Sequence, residues 1–230
     1  MYKLLIFDAD HTLWDFDSAE KNAIKMVFED LNINFKDSCL EIYREINFSL
    51  WKKFELNEIS QTKIKTERFR LFFEQLGISA NHSKISHDYL LYLSEGHDLL
   101  NGAFELITDL KSRYSLALLT NGISIVQHPR YEKSRLFGAF DAFVVSGDLG
   151  INKPDRAIFD YTLQKCNVTD RKSVLMIGDS LTSDIKGGLN AGIHTCWYNP
   201  EGKLNRTDIH PEFEIQNLRE LYGILGEDHE

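Results

Sequence analysis

Asp8 and Asp10 stand two residues apart, directly after the apolar run Leu4-Leu5-Ile6-Phe7. Three further polar clusters follow apolar runs in the same way. Thr120-Asn121-Gly122 closes Leu116 to Leu119, Lys153-Pro154 follows Ala142 to Val145 by way of Ser146 and Gly147, and Gly178-Asp179-Ser180 closes Val174 to Ile177, with Asp184 five residues past Asp179. Four carboxylates gathered in one place repel each other and call for a cation, and an all-oxygen donor set suits Mg²⁺. Such an ion with a lysine and a threonine beside it is a receptor for a phosphoryl group. An aspartate at that receptor can attack phosphorus and form an aspartyl-phosphate. A second aspartate two residues away can protonate the leaving oxygen and then activate water. Each cluster alone reads as an ordinary turn or helix cap. Their weight comes from the combination, all at the ends of apolar runs.

For those clusters to meet, the apolar runs must be neighbouring parallel strands, whose C-terminal ends share one edge of a sheet. The runs are short and continuous, as in a sheet covered on both faces. Helical stretches separate them, from Ala103 to Tyr114 and from Ala157 to Cys166, while Thr195 to Tyr198 adds a possible strand and Leu218 to Leu225 a closing helix. Strand–helix alternation predicts an α/β fold, a Rossmann-like parallel sheet. Residues from about 16 to 96 differ, with apolar stripes at helical spacing and no strand pattern: Ile24, Val27, Phe28 and Leu31; Phe69, Phe72, Phe73 and Leu76, ended by Gly77; Ile85, Tyr89 and Leu93. Asp17 with Glu20 resembles a capping box before the first stripe. The stretch Leu40 to Phe54 is apolar on two faces and is expected to be buried on both. The predicted organisation is a core of residues 1–15 and 97–230 with an all-α helical bundle, residues 16–96, inserted as a cap. Its hinges would be Asp15 to Ser18 and Gly96 to Leu99.

Composition narrows the function. The chain has 230 residues, 26 basic against 35 acidic, for a formal charge of −9. That balance, with no basic stripe, argues against a nucleic-acid polymer as partner but allows a small phosphorylated molecule. Cys39, Cys166 and Cys196 form no CxxC and read as reduced thiols. No export signal and no membrane-length apolar run is visible, so a cytoplasmic protein without a membrane partner is expected.

On these motifs the chain resembles the haloacid dehalogenase (HAD) superfamily of phosphatases. DxDx[TV] appears as Asp8-Ala9-Asp10-His11-Thr12, the strand-end Ser/Thr as Thr120, the lysine as Lys153, and GDxxxxD as Gly178-Asp179 through Asp184. A helical insert between the first and second motifs matches the C1 cap subclass. The resemblance implies Asp8 as nucleophile and Mg²⁺ ligand, and Asp10 as general acid/base with its backbone carbonyl on the metal. It implies Thr120, Asn121 and Lys153 at the phosphoryl group, Asp179 as a direct metal ligand, and Asp184 acting through water or by orienting Lys153. The dehalogenases of the superfamily lack an aspartate at the place of Asp10, so phosphate-ester hydrolysis is expected in preference to C–halogen cleavage.

Asp8 to Asp17, Leu50-Trp51, Lys153-Pro154 with Ile158-Phe159, and Gly178 to Gly188 with Ala191-Gly192 and Thr195-Cys196-Trp197 are similar to the YjjG/YfnB-type group of pyrimidine 5′-nucleotidase-like phosphatases. That similarity implies a nucleoside 5′-monophosphate substrate and a part in cleaning the nucleotide pool. A nucleobase needs an aromatic surface, and Trp14, Phe16, Phe48 and Trp51 are candidates for it. The alternatives are a broad phosphatase of small metabolites such as sugar phosphates or phosphoglycolate, a phosphomutase, a receiver-like signalling module, and a catalytically idle binding protein on the same scaffold. The oligomeric state is left open.

Overall fold

The computed structural model describes residues 1–226. Six parallel strands form one sheet in the order β3-β2-β1-β4-β5-β6. They are β1 (Leu4–Phe7), β2 (Ser115–Thr120), β3 (Ala142–Val145), β4 (Val174–Gly178), β5 (His194–Tyr198) and β6 (Phe213–Ile215). The first strand is central, with β2 and β4 on either side. Phe7 pairs with Leu118 and with Ile177, so the next residue, Asp8, falls level with Leu119 and Gly178.

Alternating side chains of β1 enter different cores, because successive residues of a strand point to opposite faces. Leu5 and Phe7 pack with α5 (Ala103–Leu110), Tyr131, Leu218 and Leu221. Leu4 and Ile6 pack with Ile158, Phe159 and Leu163 of α8 (Arg156–Lys165) and with Ala191 of α9 (Lys186–Ala191). A sheet covered on both faces has continuous apolar strands, and β1 is buried at all four positions.

Between β1 and β2 the chain forms α1 (Phe16–Asp30), α2 (Asp37–Glu55), α3 (Gln61–Leu76) and α4 (His82–Ser94) before α5. Their stripes meet in a core of Ile24, Val27, Phe28, Tyr43, Phe69, Phe72, Phe73, Tyr89 and Leu93. Ser60 and Asn81 cap α3 and α4, and Gly77 ends α3 at φ 66°, in the left-handed region where glycine carries no steric cost. The bundle core is not closed by its own helices. Ile123 and Val126 of α6 and its approach (Ser124–Lys133) complete it from the sheet side.

Several local expectations change. Asp15, not Asp17, caps α1, its side chain accepting from Ser18 N. Glu20 turns inward to Arg44 and Asn47 instead of back to the helix start. The helix α2 is not buried on both faces: Phe48 is 64% exposed, with the Lys52 ammonium 5.4 Å from its ring. The strand β6 lacked a sequence signal, being three residues at the sheet edge. Among the described residues no helix is long and apolar enough to cross a membrane.

The two segments joining bundle to sheet run side by side. Asp15 N donates to Asp98 O at 3.0 Å, Leu100 N to Leu13 O at 2.9 Å, and Trp14 bridges Leu99 in antiparallel fashion. The bundle also rests on the strand-end loops. Gln61 Nε2 donates to Asn121 O and Gly122 O, both at 3.2 Å, and Lys52 Nζ and Glu55 Oε2 meet Thr182 Oγ1, each at 2.6 Å.

Candidate active site

The loop after β1 carries Asp8, 7% exposed, its backbone N–H donating to Ile177 O at 2.9 Å. Lys153 reaches it from the loop after α7 (Ser146–Leu149), the short helix that follows β3. An ammonium has three donors, and Lys153 Nζ satisfies all of them: Asp8 Oδ1 at 2.5 Å, Asp184 Oδ1 at 2.7 Å and Leu119 O at 2.8 Å. Breaking such a buried pair costs about 3–5 kcal/mol. Asp184 comes from a single π-helical turn, Leu181–Ile185, and its Oδ2 accepts from Ser180 N at 3.0 Å. It fits there because residue 178 is glycine; a Cβ would lie 2.3 Å from Asp184 Oδ2. Trp197 Nε1 donates to the carbonyl of Asp179 at 2.8 Å and fixes the turn.

Asp8, Asp179 and Asp184 each offer a carboxylate oxygen, all within 4.8 Å of one another. Burial raises Asp8 well above the usual carboxylate range, with Lys153 opposing. Burial, then the charge of Asp184, pushes Asp179 up to about 8. Burial works against the Lys153 ammonium, yet Asp184 and Asp8 together hold it above the ordinary lysine value. Three clustered carboxylates, those of Asp8 and Asp184 buried and that of Asp179 half-buried, against one ammonium leave excess negative charge, the condition a hard divalent cation relieves. The donor set therefore fits Mg²⁺.

Protons compete with a cation for this cluster. The folded-state pKa of Asp179 lies above its unfolded value of 3.8. The stability carried by its protonated form is thus complete below that value and is lost as pH rises through about 8. A Mg²⁺ ion held by this donor set would bind the ionised form and offset that loss. It should raise Tm more at pH 8 than at pH 6 in thermal unfolding; an equal shift at both would place the cation elsewhere.

Asp10 does not join the acidic cluster. Its Oδ2 accepts from Gln127 Nε2 at 2.6 Å and its Oδ1 from Arg130 Nη1 at 2.5 Å. The sequence reading gathered four carboxylates around one ion; the structure gives the fourth its own cation. Arg130 is 1% exposed, and its Nε donates to Gly96 O at 2.6 Å, tying Asp10 to the second connecting segment. Sequence reasoning missed both partners. The available signal was a glutamine and an arginine three apart, on one helical face, just past Thr120-Asn121-Gly122.

Thr120 ends β2 at 2% exposure, and its Oγ1 accepts from Gly122 N at 3.0 Å. Asn121, expected at the phosphoryl group, has its side chain committed elsewhere. Its Oδ1 accepts from Lys153 N at 2.8 Å and its Nδ2 donates to Lys153 O at 2.9 Å, so it fixes the lysine's backbone. Of the aromatic candidates, Trp14 is 2% exposed and packs in the core beside the sheet, offering no free face. Phe16 lies against His11 at 4.9 Å between ring centroids, and Trp51 meets Phe54 edge-on at 5.5 Å; both are half-buried.

The haloacid dehalogenase-like hydrolase family profile matches residues 2–192. The HAD-hydrolase YfnB of Bacillus subtilis (strain 168) is 40% identical over 225 residues, spanning 98% of this chain and 96% of that one. The pyrimidine 5′-nucleotidases PynA of Streptococcus pneumoniae (strain ATCC BAA-255 / R6) and YjjG of Escherichia coli (strain K12) are 36% and 33% identical; they cover 97% and 96% of this chain, and 95% and 96% of their own length is matched. The crystal structure of YfnB bound to magnesium, which reveals interdomain movement, superposes with a TM-score of 0.93, covering 97% of this chain and 98% of that one. The family's profile, these full-length relatives and the strand-end cluster agree: the chain belongs to the haloacid dehalogenase-like hydrolases.

Proposed function

We propose that the protein is a Mg²⁺-dependent phosphomonoester hydrolase working through an aspartyl-phosphate, with nucleoside 5′-monophosphates as substrates. The observation that supports it most is the meeting of Asp8, Asp179, Asp184 and Lys153 at the end of the central strand. Full-length similarity to proteins named pyrimidine 5′-nucleotidase supports the choice of ester.

In this reading Asp8 attacks the phosphorus and the P–O bond to the leaving group breaks. Asp10 gives its proton to the departing oxygen. It then takes a proton from water, whose oxygen attacks the phosphorus of the aspartyl-phosphate and releases orthophosphate with Asp8 regenerated. Lys153 and Thr120 hold the phosphoryl oxygens, and Lys153 is itself fixed by Asp184 and Asn121. Asp8, Asp179 and the Asp10 backbone carbonyl would hold the cation, with Asp184 beside them. When bound, Mg²⁺ supplies positive charge at the transferring group. Most of the acceleration comes from positioning and electrostatics.

Residues 16–96 act as the cap. Segments 15–18 and 96–99 are its hinge, and the bridges at Gln61, Lys52 and Glu55 seat it over the crevice to exclude water. Phe16 and Trp51 flank the leaving group, with Phe48 at the exposed rim. Two measurements check this function. Phosphate release from a panel of nucleoside monophosphates and sugar phosphates, with Mg²⁺ and with chelator, should favour nucleotides and require the ion. Trp51→Ala should lower the efficiency on dUMP relative to an aryl phosphate by roughly tenfold, the scale of a lost aromatic packing surface; an unchanged ratio removes Trp51 from recognition.

A further inference from the structure

Inside the helical bundle lies a polar layer with donors that neither the phosphoryl chemistry nor the bundle's own hydrogen bonds use. Arg68 of α3 is 1% exposed. Its Nη1 donates only to Asn47 Oδ1, at a long 3.4 Å, and its guanidinium lies 4.5 Å over the Tyr89 ring and 5.5 Å from the Phe69 ring. Its Nε and Nη2 are buried without a hydrogen-bond partner. The carboxylate that shares Asn47 with it, Glu20, is 3% exposed and accepts from Arg44 Nε at 2.9 Å and Asn47 Nδ2 at 3.1 Å. Asn47 thus stands between that anion and Arg68. A buried guanidinium seldom leaves donors empty, because each has given up water for nothing.

The layer continues from the catalytic crevice. Arg44 also pairs with Asp17 at 2.8 Å, and Asp17 lies 3.9 Å from His11, the residue after Asp10. Arg130, which holds Asp10, has a buried Nη2 with no partner, and its guanidinium lies 5.9 Å from the Phe16 ring. Unpartnered guanidinium donors therefore lie both beside the acid/base residue, on Arg130, and within the bundle, on Arg68, each near aromatic rings.

We infer that Arg68 is a specificity-determining residue: its empty Nε and Nη2 receive acceptor oxygens on the leaving group of the phosphate ester, with the Tyr89 ring holding the guanidinium in place. Guanidinium has donors and no acceptor. The group it reads must therefore present oxygens, either the carbonyls of a nucleobase or the hydroxyls of a sugar. The inference rests on the phosphatase reading above and adds the residue that selects the ester.

The test compares wild type, Arg68→Met and Arg68→Lys on dUMP, 2-deoxyribose 5-phosphate and phenyl phosphate, by phosphate release, with thermal unfolding as a check on folding. In Arg68→Met the kcat/KM ratio of dUMP to phenyl phosphate should fall about 10- to 100-fold, the scale of lost hydrogen bonds from a charged donor. The fall should lie mainly in KM. Arg68→Lys, which keeps the charge but loses the planar fork, should fall between. If 2-deoxyribose 5-phosphate keeps its ratio to phenyl phosphate, the base is the group read; if it falls with dUMP, the sugar is. An equal loss on all three esters in both variants, or no loss on any, overturns the inference. Wild-type protein that releases phosphate from none of them would instead sink the phosphatase reading, independently of Arg68.

Discussion

Asparagine at position 8 is expected to leave folded protein with a turnover at least about 10⁴-fold below wild type, since the step that makes the covalent intermediate is gone. The substitution keeps the shape of the side chain and an acceptor oxygen for Lys153 Nζ, whose other two partners, Asp184 Oδ1 and Leu119 O, are untouched. It also removes one of three crowded carboxylates, so the metal-free fold loses repulsion along with the nucleophile. Initial rates with saturating Mg²⁺, alongside thermal unfolding, separate the two effects. Near-wild-type turnover would mean that water, not Asp8, meets the phosphorus.

The second large effect concerns Asp10 and the pair that holds it. Asp10→Asn should slow the hydrolysis of a nucleotide by about 10²- to 10⁴-fold, the range of a lost general acid. A nucleoside leaves as a poor alkoxide and needs the proton; p-nitrophenolate does not. The first step on p-nitrophenyl phosphate should therefore slow far less, and phosphorylated enzyme should accumulate as a burst, because the water attack still lacks its base. Arg130→Met should show the same pattern more weakly, roughly 10- to 100-fold on nucleotides, because Gln127 continues to hold Asp10 Oδ2. A structural role alone would slow both esters alike. The loss of Arg130 also frees Gly96 O, so a changed KM in this variant reports on the connecting segment.

The catalytic edge was legible in the sequence because it is written in strand ends. Each of Asp8, Thr120, Lys153 and Asp179 follows a short apolar run, and a parallel sheet leaves one edge for such residues to share. The stripes of Ile24, Val27 and Phe28 and of Phe69, Phe72 and Phe73 announced a bundle because a buried helix face repeats every three to four residues. What was not legible depends on long-range pairing. Glu20 looked like part of a capping box, since local spacing cannot show that Arg44 and Asn47, more than twenty residues away, take its carboxylate inward. Asn121 looked free for phosphate until the Lys153 backbone occupied its amide. Arg68 and Arg130 look like surface cations in a chain of scattered charges; only the fold buries them. Phe48 lies exposed and Trp14 buried, a difference the sequence does not show, because an aromatic residue on a helix or in a tight loop carries no local mark of which way it faces.

The central claim is covalent: phosphorus is carried on Asp8. Wild-type enzyme with Mg²⁺ and a ³²P-labelled nucleoside monophosphate, acid-quenched within one turnover, should carry protein-bound label. Borohydride reduction of that protein should convert residue 8 to homoserine, and the Asp8→Asn variant should take up no label. Steady release of orthophosphate with no trapped phosphoprotein, or label found on another residue, would contradict the account.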